Sequence, residues 1–592
     1  MKRTIILLIS LWAAMVIQGK SLIPRADDTF WRDSIPTEMR RSYISYGEQY
    51  AGKPWAVLSW TIFAENKITG NRVNYESLCF EKRRQLAALV MAEIMEGKGR
   101  FLNDIIDGVG SFCEESWWGI PAHYNKRIPL SEQQEVDLFN AETASLIAWT
   151  RYMLQSQFDQ FSPDLCQRID REIERRILKP VVEKNYWWKT AGMNWNPWIC
   201  SNWLACVLIC EKDEVRKAEA IRQIRQATQA FINAYPEDGG CDEGPGYWDR
   251  AAASMFEILR LFSVYGLESI DDFPVNKISN MAAYAYKTYI GNDYCVSFAD
   301  THENKAVQQV NIVYPFGLWL NDKTMREFGA WLGRQKQVLT NPAALYDKSG
   351  NFPTLGRELF FLRHIREFMA EKPLEPLLKD VWLADLHLMT ARRGNLYVAM
   401  KGGHNDESHN HNDVGSFIVY SNNEPLFIDP AVGEYTAKTF SKDRYDIWTM
   451  QSQYHNLPQI NGFDQKDGKT YAARIVSYKN GQLTLDIAAA YPQEAAVRSW
   501  KRTVSAQKTG ISVTEDYQID TYKQPVRLML MALSPDALQQ LHYDKNQLEV
   551  SVEDISDKLD SVLLKMWGQQ MYRIILTVKS TKLKNRIKYT IK

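Results

Sequence analysis

The spacing of apolar residues changes near residue 372, and this change limits most strongly how the chain can fold. From about residue 75 to residue 369 the apolar residues recur at helical spacing. Pro373 and Pro376 follow, and two prolines in quick succession are typical of a boundary between folding units. Beyond them the chain is rich in β-branched and aromatic residues. The clearest strand-like segments are 396–400, 416–420, 511–517 and 574–578.

We therefore predict a multidomain α+β protein with a helical domain over 20–375 and a β-sandwich domain over 376–592. Many helices joined by loops with Pro, Gly and Trp are compatible with helical hairpins arranged in an (α/α) toroid. Many antiparallel strands with almost no helix favour a sandwich for the second domain. The predicted helices include 163–178, 200–233, 249–265, 275–290, 312–336 and 355–371.

The first residues predict a secretory signal peptide. A basic start at Lys2 and Arg3 precedes an apolar run over 5–17, and the small residue Gly19 follows. The run is shorter than the about 20 residues that a membrane span needs. We expect 1–19 to be a signal peptide and the mature protein to be exported, either periplasmic or secreted, with no membrane association after cleavage.

The charge of the chain is balanced, because 71 lysines and arginines match 71 aspartates and glutamates. A net charge of zero produces no overall electrostatic field that attracts nucleic acid or a membrane surface, although it is compatible with a local basic cleft. We therefore expect no nucleic-acid partner. The sequence does not indicate an oligomeric state.

The segment 408–417 places two of the nine histidines on alternate residues beside a carboxylate. Alternate side chains of an extended strand share a face, so we expect His409 and His411 to project together. Asp429 and His455 follow downstream and supply a further carboxylate and a further imidazole. Such side chains suit zinc. The alternative is a polar loop whose histidines bond backbone carbonyls, and the downstream pair argues against it.

Three segments of the helical half also carry candidate functional side chains. In 194–204 amides and tryptophans precede an apolar helix, and the alternative there is a helix cap. In 237–248 a Gly-rich turn delivers acidic and aromatic residues, and the alternative is an ordinary turn with a cap. In 116–124 aromatic residues either line a sugar cleft or anchor neighbouring helices.

Together these segments resemble the heparinase II/III-like polysaccharide lyases, exported enzymes with an N-terminal (α/α) toroid and a C-terminal β-sandwich. The resemblance implies a lyase that cleaves uronic-acid-containing polysaccharides, such as heparan sulfate, hyaluronan or chondroitin, by β-elimination to 4,5-unsaturated products. It is carried most strongly by 408–417, Phe427-Ile428-Asp429-Pro430, Tyr454-His455-Asn456 and Glu243-Gly244-Pro245-Gly246-Tyr247.

Matched residue by residue, the family pattern implies a structural zinc held by His411, Asp429 and His455, with His409 facing the substrate. Tyr247 matches the tyrosine that protonates the leaving oxygen. Asn202 matches the asparagine that binds the uronate carboxylate. One common form of the pattern has histidine after that asparagine, whereas this chain has Trp203, so a different asparagine remains an alternative. That alternative is Asn196.

The chemistry explains the residue types. Removal of the uronate C5 proton places charge on the adjacent carboxylate, which hydrogen-bond donors such as Asn202 and His409 would neutralise. His409 is the base in an anti elimination, whereas Tyr247 serves as base and acid in a syn one; the sequence leaves both open. The remaining candidates for substrate binding are Asn196, Trp198, Glu243, His123, Tyr445 and Arg444.

Two other kinds of protein compete with a lyase. A glycoside hydrolase on a toroid would use two carboxylates, and Asp242 with Glu243 is the available pair, but adjacent residues on one turn rarely straddle a bond. A catalytically inactive glycan-binding relative is favoured only by Trp203 at the position where the family has histidine.

Overall fold

The computed structural model describes residues 23–130, 134–269, 272–301, 309–341 and 355–592. The predicted signal peptide over 1–19 lies outside the described residues. Among the residues that are described, no helix combines the length and the apolar character needed to cross a membrane.

The chain divides into two compact units. The helical unit takes the described parts of 1–235, 249–282 and 309–374. The sandwich unit takes Pro236–Trp248, the described part of 283–308, and Glu375–Lys592. Two segments from inside the predicted helical range thus fold with the strands, and the first of them carries the candidates Glu243 and Tyr247.

The helical unit is built from helices that match the predicted periodicity. Asp213 caps one of them by accepting hydrogen bonds from the backbone N–H groups of Val215 and Arg216, and Gly266 ends another with a left-handed φ of 66°. The helices are Phe30–Asp33, Thr37–Glu48, Trp60–Ile68, Val73–Glu96, Leu102–Glu114, Leu138–Met153, Gln155–Phe161, Pro163–Ile173, Lys179–Glu183, Trp195–Cys210, Glu214–Ala234, Ala252–Tyr265, Val275–Lys287, Val310–Trp319, Lys323–Gln335, Leu355–Leu362 and Ile365–Ala370.

Two of these helices form the centre of the helical unit. Leu138–Met153 and Trp195–Cys210 are buried along almost their whole length and pack against each other. A helix that is apolar on every side belongs in a core rather than at a surface. Polar side chains on these two helices, among them Glu142 and Asn202, are therefore buried and must find partners inside the protein.

The sandwich unit contains three main antiparallel sheets with a common apolar core. Its turn at Asn480 and Gly481 has φ values of 50° and 74°, as a type I′ hairpin requires. In spatial order, one sheet is Arg474–Lys479, Gln482–Asp486, Val497–Gln507, Gly510–Ile519, Lys584–Ile591 and Leu541–Tyr543; the second is Leu548–Asp554, Tyr572–Val578, Arg527–Ala532 and Pro458–Gln459; the third is Asp380–Leu383, Leu388–Arg393, Leu396–Lys401, Phe417–Ser421 and Glu424–Phe427.

Smaller elements complete the sandwich unit. The short helices Pro245–Trp248 and Ser561–Trp567 belong to it. Its two-stranded sheets pair Tyr289–Gly291 with Tyr294–Cys295 and His404–Asn405 with Gly468–Ala472. All four strand-like segments that the sequence predicts are strands, because their apolar residues alternate between the shared core and the opposite face.

The prediction that His409 and His411 lie on a strand is wrong. Residues 406–416 form a loop that ends where the strand Phe417–Ser421 begins. His409 has a left-handed φ of 57°, which breaks any extended run. The imidazoles are brought together by a shared partner outside this loop, Asp300, rather than by the alternation of a strand.

Candidate active site

Tyr247 lies at the end of a tight turn that the glycine-rich sequence makes possible. Gly244 has a φ of 92°, and a Cβ at this position would lie 3.0 Å from the carbonyl oxygen of Phe298, so only glycine fits without strain. The backbone N–H of Tyr247 donates to the carbonyl of Gly244. Asp238 anchors the start of the same segment by accepting hydrogen bonds from the backbone N–H groups of Asp385 and Leu386.

His409 stacks on the phenol of Tyr247. The two ring centroids are 4.3 Å apart with an angle of 30° between the planes. Nδ1 of His409 lies 2.8 Å from Oδ2 of Asp300, while Nε2 lies 3.9 Å from a carboxylate oxygen of Glu243. The His409 side chain keeps 13% of its surface exposed, so this imidazole is the accessible one of the motif.

Tyr435 completes this arrangement. Its hydroxyl lies 2.9 Å from the hydroxyl of Tyr247 and donates to Oδ2 of Asp300 at 3.0 Å. Because the Tyr435 proton is directed to the carboxylate, its oxygen is available to accept the proton of Tyr247. The structure thus joins two phenols, an imidazole and a buried carboxylate in one hydrogen-bonded group.

The electrostatics of this group follow from burial and from the carboxylate at its centre. Burial pulls the pKa of His409 down, but the hydrogen bond and charge of Asp300, together with Glu243, raise it overall. Burial and then the neighbouring Tyr247 and Asp300 raise the pKa of Tyr435 well above its usual value. Burial opposes ionisation of Asp300, yet the hydrogen bonds from His409 and His411 hold its pKa below the usual range.

His411, Asp429 and His455 form a second, fully buried group. One ligand atom from each lies within 4.8 Å of the others. Nδ1 of His455 is 2.9 Å from Oδ2 of Asp429. Burial opposes both charges, but mutual attraction raises the pKa of His455 and lowers that of Asp429. The structure therefore brings together the three residues for which the family resemblance implies zinc.

The hydrogen bonds of the two imidazoles test whether these residues fit a metal ion. Nε2 of His455 lies 2.9 Å from the carbonyl of Thr449, which only accepts. In the neutral imidazole, the form that binds a metal, Nε2 therefore carries the proton and the lone pair of Nδ1 is directed to Asp429. Nε2 of His411 lies 3.1 Å from Oδ1 of Asp300, and its Nδ1 is buried without a hydrogen-bond partner in the described part of the chain. Metal-binding histidines commonly bond an oxygen through the second nitrogen, so the residues fit a cation.

Hydrogen bonds of a neighbouring amide hold the segments that carry His411, Asp429 and His455. The amide of Asn456, next to His455, donates to the carbonyls of Phe417 and Ile428 and accepts from the N–H of Met531. These bonds tie the ends of the strands Phe417–Ser421 and Glu424–Phe427 to their neighbours. Such closed networks fix side-chain positions more firmly than apolar packing alone.

Asn202 belongs to the helical unit and lies inside the helix Trp195–Cys210. Its Nδ2 donates to the carbonyl of Trp198 one turn earlier, at 2.9 Å. It lines a small cavity with Ser145, Glu257, Arg260 and others. Its assignment to the uronate carboxylate stays a prediction.

The structure corrects two substrate-binding candidates of the helical unit. Asn196 is fully buried, and its Nδ2 donates to the carbonyls of Lys189, Ala191 and Ala227, so it has no donor left for a substrate. Trp198 is 5% exposed, and its Nε1 donates to Glu142. Both side chains hold helices together. Polar residues at the start of a buried helix therefore give the same sequence pattern as polar residues of a substrate-binding site.

His123 remains a candidate on a partly exposed position of the helical unit. Its Nδ1 lies 2.9 Å from Oδ2 of Asp137, whose other oxygen caps the helix Leu138–Met153 by accepting from the N–H of Asn140. The imidazole lies 4.8 Å from the ring of Trp195. The side chain is 19% exposed, so substrate binding by His123 stays a prediction.

Arg444 and Tyr445 use their donors to support the loop 406–416 rather than to bind a substrate. Arg444 donates to Oδ1 of Asp300 at 2.6 Å and to the carbonyls of Asn410 and Thr439. The hydroxyl of Tyr445 donates to Oδ1 of Asn410 at 2.9 Å. We therefore correct the assignment of both residues from substrate contact to support of the loop between His409 and His411.

Sequence reasoning missed Asp300 and Tyr435. Asp300 lies 109 residues before His409 in a segment without a recognisable motif, so nothing in the local sequence indicates its role. Tyr435 lies between Asp429 and Arg444, both already singled out, and its position in that segment is the one available signal.

Comparison with known families and structures gives a family for part of the chain and a fold for nearly all of it. Residues 375–525 match the family described as "Heparinase II/III-like, C-terminal", which confirms the resemblance carried by the motifs in that range. A search of curated protein sequences finds no matching relative.

Solved structures with this fold are similar over most of both chains. A crystal structure of heparinase III aligns with a TM-score of 0.63 at 13% identity, covering 97% of this chain and 87% of the other. A heparinase III gene product gives 0.59 at 11% identity, covering 98% and 87%. Heparan sulfate lyase HepC from Pedobacter heparinus gives 0.51 at 12% identity, covering 93% and 87%. The predicted fold class, an (α/α) toroid followed by an antiparallel β-sandwich, is thereby confirmed.

Proposed function

We propose, for a chain whose residues 375–525 belong to the heparinase II/III-like C-terminal family, that it is a lyase of uronic-acid-containing polysaccharides. The observation that carries the proposal is the contact between Tyr247 and His409, stacked at 4.3 Å and backed by Asp300. Within the described residues this is where an accessible imidazole and a phenol meet. A β-elimination needs one group to take the C5 proton and one to protonate the O4 leaving group.

Tyr247 is assigned as the acid that protonates the leaving oxygen. An ordinary tyrosine holds its proton until about pH 10, so the acid role needs no special environment. The neighbouring hydroxyl of Tyr435, 2.9 Å away, supports the phenol in this position. In an anti elimination the phenol regains its proton from solvent, and His409 releases the C5 proton to solvent; a syn elimination needs no such exchange.

His409 is assigned to the reacting uronate as a partner of Tyr247. Its Nδ1 is committed to Asp300, which leaves Nε2 as the nitrogen for the substrate. Stacked rings act from the same side of a bound sugar, which favours a syn elimination. In it Tyr247 starts as the phenolate, takes the C5 proton and returns that proton to the O4 leaving oxygen, while His409 stabilises the charge that develops. In an anti elimination, Nε2 of His409 would take the proton from the opposite face.

We further propose that His411, Asp429 and His455 hold a structural zinc ion. A metal ion bound there would cross-link three segments of the chain. They are the loop 406–416, the segment after the strand Glu424–Phe427 and the segment before the strand Pro458–Gln459. The three side chains are fully buried, and the unpartnered Nδ1 of His411 supports a ligand role. A zinc ion that cross-links buried segments contributes directly to folding free energy.

Metal analysis tests this site. The purified protein should contain about one zinc ion per chain, and His411→Ala or His455→Ala should lose zinc together with thermal stability. His542→Ala is the matched control, because His542 lies on the exposed face of the strand Leu541–Tyr543 and should keep the metal. Unchanged zinc content in both site variants would reject the assignment.

Phe440 is proposed as an apolar platform for a sugar ring beside these groups. Its side chain is 58% exposed. The centroid of its ring lies 4.9 Å from that of Tyr435 and 6.1 Å from that of His409, both in edge-to-face arrangements. A large aromatic side chain left exposed at the edge of a polar cluster suits the C–H face of a sugar. The paired side-chain bonds of Thr436 and Thr439 fix the short helical turn that carries it.

The experiment is incubation of the protein with separate uronate polysaccharides: heparan sulfate, heparin, hyaluronan and chondroitin. Ultraviolet absorbance of the conjugated 4,5-double bond and the number of new reducing ends are measured together. We expect both signals to rise in parallel on at least one polymer. New reducing ends without the absorbance would contradict the lyase and support a hydrolase, whereas binding without either signal would support an inactive glycan-binding protein.

A further inference from the structure

Asp300 receives hydrogen bonds from four side chains at once. Its Oδ2 accepts from Nδ1 of His409 at 2.8 Å and from the hydroxyl of Tyr435 at 3.0 Å. Its Oδ1 accepts from Nε2 of His411 at 3.1 Å and from Arg444 at 2.6 Å. A carboxylate has about four acceptor sites, so this one is saturated. Its side chain has no exposed surface, so it cannot reach a substrate itself.

Saturation of Asp300 fixes which nitrogen of His409 faces outward. A carboxylate only accepts, so Nδ1 of His409 must carry the proton that it shares with Asp300. The other nitrogen is thereby turned to the side of Glu243, and the ring is held flat against Tyr247. If the ring were rotated by half a turn about its axis, the two nitrogens would lose these partners.

The backbone of His409 does not hold this position by itself. Its φ of 57° lies in the left-handed region, which costs a non-glycine residue free energy. Such a conformation persists only when surrounding contacts determine it. Among the described residues, Asp300 makes the shortest polar contact of the imidazole, since Tyr435 lies 3.4 Å and Glu243 3.9 Å from it.

The same carboxylate also directs the phenol pair. Because the hydroxyl of Tyr435 donates to Asp300, its oxygen is left to accept from Tyr247. Loss of the carboxylate would free the Tyr435 proton to donate to the oxygen of Tyr247 and so would reverse the direction of this hydrogen bond. Asp300 therefore sets the hydrogen-bond direction on both sides of the reacting groups.

We propose that Asp300 is a positioning residue that orients His409 and, through Tyr435, Tyr247 for catalysis. This inference rests on the lyase function proposed above, because it assigns Asp300 to the same two reacting side chains. Asp300 acts through these neighbours and not on the substrate. It also contacts His411, so its role must be separated from a role in holding zinc.

The central test compares Asp300→Asn with the wild type at saturating zinc. Asparagine keeps the shape but has one acceptor oxygen, which the charged guanidinium of Arg444 should retain. The amide nitrogen, a donor, then takes the place of the oxygen that His409 and Tyr435 share. We expect kcat to fall by about 100-fold or more while KM changes little, because misplacement of catalytic groups acts on the transition state. Zinc content, measured on the same samples, should remain that of the wild type.

Asp486→Asn is the matched control. Asp486 lies in the same unit, at the end of the strand Gln482–Asp486, and accepts a hydrogen bond from the backbone N–H of Trp500 at 3.0 Å. The change removes the same charge without touching an imidazole. We expect kcat and KM within about twofold of the wild type, as for a surface substitution away from the site.

A structure of Asp300→Ala supplies a readout that does not depend on activity. We expect the ring of His409 to leave the position 4.3 Å from the ring of Tyr247. Wild-type kcat in Asp300→Asn, full recovery of its kcat by added zinc, or an unmoved His409 ring in Asp300→Ala would each overturn the inference. A wild type that forms no unsaturated product would refute the lyase proposal instead, and the ring position would still test Asp300.

Discussion

Both units of the protein bury charged side chains, and one buried cluster of each unit differs from the other in chemical kind. In the helical unit, Arg357 bonds Asp249 and Glu257 with four N–H to oxygen contacts of 2.8–3.1 Å, and we name these residues the ionic cluster. In the sandwich unit, Tyr247, His409 and Tyr435 surround Asp300, and we name these residues the imidazole cluster. The ionic cluster joins fixed charges, whereas the imidazole cluster joins groups that exchange protons.

This difference teaches which buried polar groups indicate function. An arginine keeps its proton at any ordinary pH, so the ionic cluster can hold two helices and the turn at Asp249 together but cannot transfer a proton. Imidazoles and phenols can, and the imidazole cluster has an accessible edge at His409, 13% exposed. Burial of charge alone is thus weak evidence of an active site. The chemical kind of the buried groups and their access to solvent are the stronger evidence.

The largest expected effect is on the imidazole cluster. Tyr247→Phe removes the phenolic proton but keeps the ring stacked on His409. We expect kcat to fall by about 10³-fold, within the range of a lost general acid, with an unchanged melting temperature. Steady-state kinetics and thermal unfolding measure both. Tyr478→Phe, on a phenol stacked with Trp382 in the same unit, is the control. Near-normal turnover in Tyr247→Phe would remove the imidazole cluster from the mechanism.

The ionic cluster should respond in stability. Arg357→Met removes the nearest cation of the buried carboxylates of Asp249 and Glu257. The next cations, Arg250 and Arg260, lie 3.8 and 4.0 Å from them. We expect the free energy of unfolding to fall by about 3–5 kcal/mol in a denaturant titration, as for a broken buried ion pair. Arg334→Met, on an exposed arginine of another helix, should change it by less than about 0.5 kcal/mol. Equal effects of the two substitutions would contradict the structural role of Arg357.

Glu142 sharpens the comparison, because it is a carboxyl of the helical unit that does exchange a proton. Burial raises its pKa to about 7 from 4.5, against the opposing effects of Arg250 and Trp198. The folded state therefore keeps this proton at a pH where the unfolded chain has released it. This contribution to stability is complete below about pH 4.5 and is lost as pH rises through about 7.

Glu142→Gln should remove that pH dependence. Relative to the wild type, the variant should gain up to about 3 kcal/mol in free energy of unfolding between pH 4.5 and pH 7. Unfolding titrations at several pH values measure the difference between the two proteins, so contributions from other groups cancel. A difference that stays constant with pH would show that Glu142 has the same pKa in the folded and the unfolded chain.

The smallest effect is expected at the edge of the imidazole cluster. Phe440→Ala should raise KM by about fivefold with kcat nearly unchanged, because stacking contributes about 1 kcal/mol to binding. Phe440→Tyr keeps the ring and should restore KM. Phe161→Ala, on a 61% exposed phenylalanine of the helical unit, is the control in the same kinetic assay. Unchanged KM in Phe440→Ala would remove Phe440 as a sugar platform.

The sequence predicts the architecture well because helical and strand periods are local properties. Periodicity places the strands Leu396–Lys401 and Phe417–Ser421, and the predicted fold class is that of the heparinase III structures. It fails for 408–416, where left-handed backbone at His409 forms a loop although the residue pattern alternates. Alternation of polar residues does not distinguish a strand from a loop that is fixed by side-chain bonds.

The site is predictable only where its residues share a motif. His409, His411 and Asp429 stand within or just after one segment, so the sequence brings them to attention. Asp300 does not, because its contact with His409 spans 109 residues and depends on the tertiary fold. Conversely, Asn196 carries the residue type expected in a sugar site, but its amide hydrogens are consumed by backbone carbonyls.

The central claim is that the imidazole cluster cleaves uronate polymers by elimination and not by hydrolysis. Mass spectrometry of the products formed in heavy-oxygen-labelled water tests it most directly, on whichever polymer of the panel the protein degrades. The account predicts unsaturated products that carry no label, because elimination breaks the C4–O4 bond without adding water. Saturated products that contain heavy oxygen from the solvent would contradict it.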